Sequence, residues 1–389
     1  MKTVLNLLSK EDCCGCEACA NVCPVSAIIF KPDSLGFRYP FIDNSKCIQC
    51  GKCANLCPAL NNKNNSINKE MICGYSKEED LVQKSSSGGF FSLISNWFLN
   101  NGGCVVGVKW ADDFRKTEHY VANNKEEFEK IVGSKYFQSQ KNNIYKDVIK
   151  ILKEGKKVLF SGCPCEVAAL KLLVDKSLLD NLYTIDLVCQ GPSTTKALVQ
   201  YIDMMERKHK AKVTHINMRV PIGVWIPQHM LIRFSNGKEY LNRLYDTPFG
   251  DAVRIIQRKS CYSCRFAGGG RKSDLTLGDY HGAKKDASYY HESGVSVALS
   301  HSNKGDFMLD ILKNENIYYE NCDYETIAKK NPRIEKPWNP LPEYQKFSEL
   351  FSKTNLFNAS KKTLSLKRKI FRKIPLKTRI KIENKMRNE

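Results

Sequence analysis

The 389-residue sequence lacks a long apolar run and a dinucleotide-binding fingerprint, and we expect no secretory leader. Its longest apolar candidate, Phe90 to Leu99, is shorter than the ~20 residues of a membrane span and is interrupted by serine and asparagine. Met1 to Lys10 contains two lysines and only a broken apolar stretch. No Gly-x-Gly-x-x-Gly motif follows a candidate strand, which disfavours a Rossmann nicotinamide domain without excluding NADPH. We therefore expect a cytoplasmic protein with no membrane-spanning helix.

The positive charge is unevenly distributed along the chain. The formal net charge is +20, and residues 361–389 hold twelve Lys or Arg against two Glu. Those basic residues alternate with Leu, Ile and Phe, and Pro375 divides any helix there in two. A basic amphipathic segment of this kind can lie on an anionic membrane surface, and the alternative is a solvated tail. We expect no nucleic-acid partner, and we expect peripheral binding at the inner face of the membrane if the tail binds lipid.

The sequence contains 17 cysteines, and their spacing is clustered. In a long chain without a leader, this pattern favours metal ligation in a reducing cytosol over a disulfide framework. Residues 13–24 and 47–58 each read C-x2-C-x2-C-x3-C-P. That repeat is typical of a ferredoxin with two 4Fe–4S clusters, in which the fourth cysteine of each motif ligates the other cluster. Zinc knuckles are the alternative, but they use two close pairs of ligands.

The crossed pattern assigns four ligands to each cluster. They are Cys13, Cys16, Cys19 and Cys57 for one cluster, and Cys47, Cys50, Cys53 and Cys23 for the other. Cys14 is surplus to the motif, and we interpret it as a bystander.

The remaining chain predicts a mixed α/β domain. Helical periodicity is expected over 88–100 and 142–154, with a further helix capped by Ser193. Strands are expected at 103–110, 158–160, 182–188, 275–277 and 295–299, and Asn236-Gly237 predicts a hairpin. The fold class is therefore α+β or α/β and multidomain, with a small bacterial-type ferredoxin domain first. The expected divisions are 1–64, 70–150, 151–330 and 331–389, the last being a proline-containing linker with the basic tail.

A second group of cysteines lies in this α/β region. Cys163 and Cys165 follow a predicted strand, Cys189 follows another, and Cys261 and Cys264 form a C-x2-C pair. Cysteines at strand ends can converge at one edge of an open sheet, where α/β proteins place their sites. A pair plus two separate cysteines supplies four thiolates, enough for one cubane. For Cys261 and Cys264 alone, zinc is the better prediction.

The order of motifs here resembles a known family. Six motifs follow one another along the chain: Ser-Ser-Gly-Gly at 86, Ser-Lys-Tyr at 134, Ser-Gly-x-Pro-Cys at 161, Val-Cys-x-Gly-Pro at 188, Cys-x2-Cys at 261 and Ser-Asp-x-Thr-x-Gly-Asp at 273. In this order they resemble the coenzyme F-420 hydrogenase/dehydrogenase beta-subunit family. The resemblance covers about residues 70–330. It implies a flavin and iron–sulfur protein that passes electrons between clusters and FAD, and from FAD to a hydride carrier or an organic substrate.

The resemblance also implies site residues. A third 4Fe–4S cluster would be held by Cys165, Cys189, Cys261 and Cys264. The flavin would be lined by Ser87, Gly88, Gly89, Ser134, Lys135, Tyr136, Ser161, Gly162, Asp274, Gly278 and Asp279. Two positions depart from the family: Cys163 replaces a frequent threonine and competes with Cys165 as ligand, and Gln190 replaces a frequent histidine and cannot titrate.

These observations predict an F-420- or ferredoxin-dependent oxidoreductase with no assigned catalytic residue. A flavin is needed in such a protein because a cubane handles one electron whereas a hydride carries two. The expected partner is a redox protein or a hydride-carrier coenzyme. The alternatives are a reductase of an organic or sugar-linked substrate, and a non-catalytic subunit that only transfers electrons.

Overall fold

The computed structural model describes residues 3–63, 70–222, 224–376 and 378–380. Its strands are β1 (Ile28–Pro32), β2 (Arg38–Ile42), β3 (Met71–Ser76), β4 (Cys104–Trp110), β5 (Thr117–Ala122), β6 (Val158–Gly162), β7 (Leu182–Leu187), β8 (Val213–Ile222), β9 (Val224–Phe234), β10 (Glu239–Arg243), β11 (Leu275–Asp279), β12 (Ser296–Ser300) and β13 (Ile317–Asn321).

The α-helices surround these strands. They are α1 (Val4–Leu7), α2 (Ala18–Val22), α3 (Lys52–Asn55), α4 (Pro58–Asn61), α5 (Glu79–Lys84), α6 (Phe90–Asn100), α7 (Lys125–Glu129), α8 (Ile144–Lys153), α9 (Pro164–Leu173), α10 (Thr195–His209), α11 (Pro248–Ile255), α12 (Lys259–Tyr262), α13 (Asn303–Asn314), α14 (Tyr324–Lys330), α15 (Tyr344–Lys353), α16 (Leu356–Thr363) and α17 (Leu366–Phe371). None of the described helices is long and apolar enough to cross a membrane.

A mixed sheet of eight strands forms the centre of the α/β region. Its order is β13-β3-β12-β11-β7-β6-β4-β5, and β4, β6, β7 and β11 run parallel to one another. The apolar run Val158 to Phe160 is fully buried in β6, as expected for a strand covered on both faces. Helices α6 and α13 pack on one face, and α8 and α9 pack on the other. The mixed α/β fold class is confirmed.

The large sheet crosses the expected division at residue 150. Strand β4 pairs in parallel with β6, so segments 70–150 and 151–330 contribute to one sheet and share its hydrophobic cores. Strands β4 and β6 are neighbours in the sheet, although β5, α7 and α8 separate them along the chain. The two segments are therefore joined by tertiary strand pairing. That pairing is not visible in local sequence patterns.

A second, three-stranded sheet has the order β10-β9-β8. It includes the hairpin predicted at Asn236-Gly237, where Gly237 has φ of +76°. Helices α10, α11, α15 and α16 complete its core, and Phe347 and Phe351 of α15 are fully buried there. The segment 344–363 is therefore packed helix, in place of the linker expected after residue 331.

One helix begins a residue later than expected. Thr194, and not Ser193, caps α10, and its side chain accepts a hydrogen bond from the Ala197 N–H. Ser193 donates its backbone N–H to the Tyr136 carbonyl at 3.1 Å, and its own carbonyl accepts from the Gln138 N–H. Because this pairing commits the Ser193 backbone to an extended conformation, the cap moves to the next residue.

Candidate metal centres and flavin site

The two ferredoxin motifs share a backbone geometry that turns their cysteines inward. In each copy, the residue before the second cysteine and the residue after it have positive φ: Gly15 (68°) and Glu17 (63°) in the first, Gln49 (51°) and Gly51 (75°) in the second. Such left-handed residues reverse the chain locally. Helices α2 and α3 then begin at equivalent positions.

The structure groups the eight motif cysteines in two sets. A cavity of about 250 Å³ is lined by Cys13, Cys16, Cys19 and Cys57, and Cys14 also borders it. A smaller cavity of about 20 Å³ is lined by Cys23, Cys47, Cys50 and Cys53. Each set combines three cysteines of one motif with the fourth of the other, so the grouping fits two cubanes with exchanged ligands. Burial raises the pKa of Cys13 to about 12, so deprotonation of this thiol depends on metal binding.

The second group of cysteines converges at the carboxyl edge of the large sheet. Cys163 and Cys165 follow β6, and Cys189 follows its neighbour β7. Cys163 Sγ lies 3.8 Å from Cys189 Sγ, and the Gly191 N–H donates to Cys189 Sγ at 3.3 Å. A Cβ added to Gly191 would lie 2.9 Å from Cys261 Cβ, which places α12 against this loop. Cys261 and Cys264 both lie near Cys189.

Cys14 lies at this second group, although the motif does not require it. The Cys14 side chain lies beside the side chains of Cys16 and Cys165. The ferredoxin loop therefore touches the α/β region at its cysteines. In the sequence, the only indication of a special role for this residue is that Cys14 is an extra cysteine. Local sequence patterns cannot show which residues it contacts.

None of the 17 cysteines, all of which lie in the described ranges, forms a disulfide. Within the described ranges, no three His, Cys, Asp or Glu side chains are close enough together to hold one metal ion. A cubane spreads its four thiolates over four irons, so its ligands need not converge on a single point.

A buried ionic network lies between the ferredoxin loop and the Cys163–Cys165 turn. The Lys141 ammonium contacts Glu166, and the Lys141 N–H donates to Glu17 Oε2 at 3.1 Å. Glu166 Oε2 accepts from the Cys163 N–H at 2.8 Å. Burial raises the pKa of Glu166, but Lys141 and His119 outweigh it, so the net pKa is lowered. Sequence reasoning missed these residues because they are far apart in the chain.

The predicted Ser/Gly loop lies at the carboxyl end of β3. The Gly88 carbonyl accepts from the Ser76 N–H at 2.7 Å, and glycine is required at this position because a Cβ would overlap the Gly74 carbonyl oxygen. Gly89, with φ of 90°, caps α6. The buried Ser87 Oγ has no hydrogen-bond partner among the described residues. An unpartnered hydroxyl beside a helix N-terminus fits a phosphate of a flavin nucleotide.

The Ser134–Tyr136 segment joins this loop to the small sheet. Ser134 donates its N–H to Ser86 Oγ at 2.9 Å. The Lys135 ammonium donates to three carbonyl oxygens, of Ile131, Val132 and Gly133, and burial lowers its pKa to about 7. Tyr136 contacts Arg219, whose guanidinium forms a 2.7 Å ion pair with Asp279. Arg219, from β8, is a candidate site residue that the sequence did not indicate.

The other predicted flavin residues divide between the two edges of the sheet. Ser161, Gly162, Gly278 and Asp279 lie at the carboxyl ends of β6 and β11. Asp274 precedes β11 and therefore lies at the opposite edge. Its carboxylate accepts from the Thr184 hydroxyl at 2.6 Å and from Lys171 and Ser302 at 2.9 Å. The structure thus places Asp274 away from the other candidates, in a structural network.

Two parts of the chain match family models. Residues 155–325 match the model of the C terminus of the beta subunit of coenzyme F420 hydrogenase/dehydrogenase, and residues 12–61 match that of the 4Fe-4S dicluster domain. No curated protein matches the chain. One chain of the F420-reducing [NiFe] hydrogenase complex from Methanosarcina barkeri aligns at 15% identity and a TM-score of 0.47, covering 70% of this chain and 97% of that one.

The family matches confirm the resemblance predicted from the motifs. The chain contains a region that matches the 4Fe-4S dicluster domain, followed by a region related to the beta subunits of these hydrogenases and dehydrogenases. It is therefore an iron–sulfur electron-transfer protein of the oxidoreductase type.

Proposed function

We propose that this protein is an iron–sulfur flavoprotein oxidoreductase that passes electrons between its ferredoxin clusters and FAD, with coenzyme F-420 or a similar hydride carrier as second substrate. One observation carries the proposal: the first ferredoxin loop docks on the α/β region beside Cys261, where the Ser260 hydroxyl donates to the Cys13 carbonyl at 3.1 Å and the Gln138 side chain donates to the Gly15 carbonyl at 2.7 Å. This contact brings the ferredoxin to the carboxyl edge of the large sheet, which is the edge where open α/β proteins bind their ligands.

We assign the third cluster to Cys165, Cys189, Cys261 and Cys264. Thiolates about 2.3 Å from one tetrahedral ion lie about 3.8 Å apart, whereas cubane ligands bind different irons and lie further apart. The sulfur atoms of Cys163 and Cys189 lie only 3.8 Å apart, which disfavours ligation of the same cluster by both residues at once. Of the two, we assign Cys189 as the ligand. Cys163 instead holds the first turn of α9 through its N–H bond to Glu166.

The flavin residues of this proposal are those at the carboxyl edge. Ser87 Oγ and the N–H groups of the first turn of α6 bind phosphate. Tyr136, oriented by Arg219 and Asp279, borders the space beside them. A bound flavin supplies the exchange between two-electron and one-electron chemistry. Asp274 has no part in this assignment.

The proposal is tested by mixing the oxidised, anaerobically purified protein with reduced coenzyme F-420. We expect flavin and cluster absorbance to bleach together. Cys261→Ser should retain the ferredoxin clusters but lose this coupled bleaching, whereas Cys322→Ser, at a half-buried cysteine outside the proposed sites, should behave as wild type.

The alternatives give different results in the same experiment. Flavin and a third cluster without any reaction with F-420 or nicotinamides would favour an organic or sugar-linked substrate. Absence of flavin would contradict the proposal and favour a subunit that only transfers electrons.

A further inference from the structure

Cys14 is the sulfur that lies between the two predicted metal regions. Its side chain packs beside Cys16, a predicted ligand of the first-motif cluster, and beside Cys165, a predicted ligand of the third cluster. Cys57 on one side and Cys261 on the other are also within its electrostatic reach. Its side chain is half-buried among these neighbours, yet the C-x2-C-x2-C-x3-C-P motif does not need it.

The loop around Cys14 is fixed by the α/β region. The Gln138 side chain donates to the Gly15 carbonyl at 2.7 Å and to the Cys14 carbonyl at 3.3 Å. The Ser260 hydroxyl donates to the Cys13 carbonyl at 3.1 Å, and the Tyr145 hydroxyl donates to the Cys16 carbonyl at 2.9 Å. Four hydrogen bonds to consecutive carbonyls hold the Cys14 side chain in place against Cys165.

Gly15 adds a steric constraint. A Cβ at this position would lie 2.5 Å from the Arg258 guanidinium and 2.6 Å from the Gln138 amide, and its φ is +68°. A side chain at this position would require the Arg258 and Gln138 side chains to move, so glycine suits the close approach. The approach, and with it the position of Cys14, is therefore built into the fold.

The internal repeat supplies a comparison. The residue equivalent to Cys14 in the second motif is Ile48, which is 61% exposed. Of the two equivalent positions, one thus faces the second group of cysteines and the other faces solvent. A polarisable sulfur is found at the first position, and an apolar side chain at the second.

We propose that Cys14 is a positioning residue for electron transfer, and that its sulfur is the contact across which one electron passes between the first-motif cluster and the third cluster. In this step the first-motif cluster is oxidised by one electron and the third cluster is reduced by one. No bond forms or breaks and no proton moves. The inference rests on the proposed third cluster.

The test uses full-length, anaerobically purified Cys14→Ala and Cys14→Ser, with Cys322→Ala as control. Iron, sulfide and the midpoint potentials of the clusters are measured first. The proteins are then mixed rapidly with a limiting amount of dithionite, and electron paramagnetic resonance of frozen samples follows each cluster. We expect wild-type iron, potentials and first-motif reduction in Cys14→Ala, but a several-fold slower appearance of the third-cluster signal. Cys14→Ser should be intermediate, and the control should match wild type.

Three results are distinguishable. An unchanged rate in Cys14→Ala would overturn the inference. Loss of about four irons from Cys14→Ala would also overturn it, because Cys14 would then be a cluster ligand. Wild-type protein with only about eight irons would instead contradict the proposed third cluster, and the inference with it.

Discussion

At the scale of single residues, the ferredoxin cysteines follow the sequence motif closely. Their grouping in two cavities needs only the spacing C-x2-C-x2-C-x3-C-P and the positive φ at equivalent loop positions. Local information was sufficient because both motifs repeat the same spacing and the same positive-φ positions, and the exchange of fourth ligands is part of the motif. The contacts of Cys14 with Cys165 and of Asp274 with Thr184 were not predictable, since these partners lie more than 80 residues away.

Replacing Cys23 with serine tests the exchanged ligands. Cys23 lines the same cavity as Cys47, Cys50 and Cys53, although it belongs to the first motif. We expect the variant to lose about four irons and the magnetic signal of the second-motif cluster. Iron analysis and electron paramagnetic resonance measure both, with Cys322→Ser as control. Loss of only the first-motif cluster would show that the ligands are not exchanged.

His119 should make stability depend on pH. Its side chain is completely buried, and burial lowers its pKa to about 4. Between this value and the unfolded pKa of about 6.5, the unfolded chain binds a proton that the folded protein does not. The free energy of unfolding should therefore rise with pH across this window, by at most about 3 kcal/mol.

His119→Gln should flatten that rise. The measurement is the midpoint of anaerobic thermal unfolding at about pH 5 and about pH 7. The difference between the two midpoints should be smaller in the variant than in wild type. An equal difference in both proteins would show that other groups cause the pH dependence.

At the scale of elements, buried strands and amphipathic helices were predicted well. Helices α6 and α8 and strands β6 and β7 agree with their expected ranges to within two residues at each end. Strand β8 and helices α15 and α16 were not predicted. The proline-rich sequence after residue 331 suggested a linker in the segment that forms α15 and α16. Phe347 and Phe351 of α15 are instead buried by tertiary packing against α10 and α11.

The N-terminus of α6 offers a matched pair of serines. Ser87 Oγ and Ser95 Oγ are both buried and both lack a hydrogen-bond partner among the described residues. Ser87 precedes the helix, where a phosphate would bind, whereas Ser95 lies within it. Ser87→Ala should release flavin during purification, and Ser95→Ala should retain it. Equal flavin content in both variants, measured by absorbance, would remove Ser87 from the site.

Helix α17 separates its arginines from its exposed apolar residues. Arg368 and Arg372 bind the body of the protein, the latter through a 2.7 Å ion pair with Asp251. Leu366 and Ile370 are 72% and 57% exposed. We propose that these two residues, one turn apart, insert into an anionic membrane surface with help from the surrounding lysines.

Point variants test this proposal better than truncation, which would leave the buried Asp251 without its arginine. Leu366→Ser/Ile370→Ser should bind vesicles of anionic lipid more weakly than wild type, and salt should weaken wild-type binding. Ile29→Ser, at a similarly exposed residue of the ferredoxin, should bind as wild type. Equal vesicle binding by the double variant would exclude α17 as the contact.

At the scale of the whole molecule, two cysteine-rich regions meet at the carboxyl edge of one large sheet. The ferredoxin presents its first loop to the α/β region and Ile48 of its second loop to solvent. The motifs predicted both regions. Their contact could not be predicted, because it depends on hydrogen bonds between residues separated by more than 100 positions.

The most direct test of this account is the iron, sulfide and flavin content of the anaerobically purified full-length protein. Three cubanes and one FAD predict about twelve irons, an equal amount of sulfide and one flavin per chain. About eight irons without flavin, or zinc in place of the third cluster, would contradict the account.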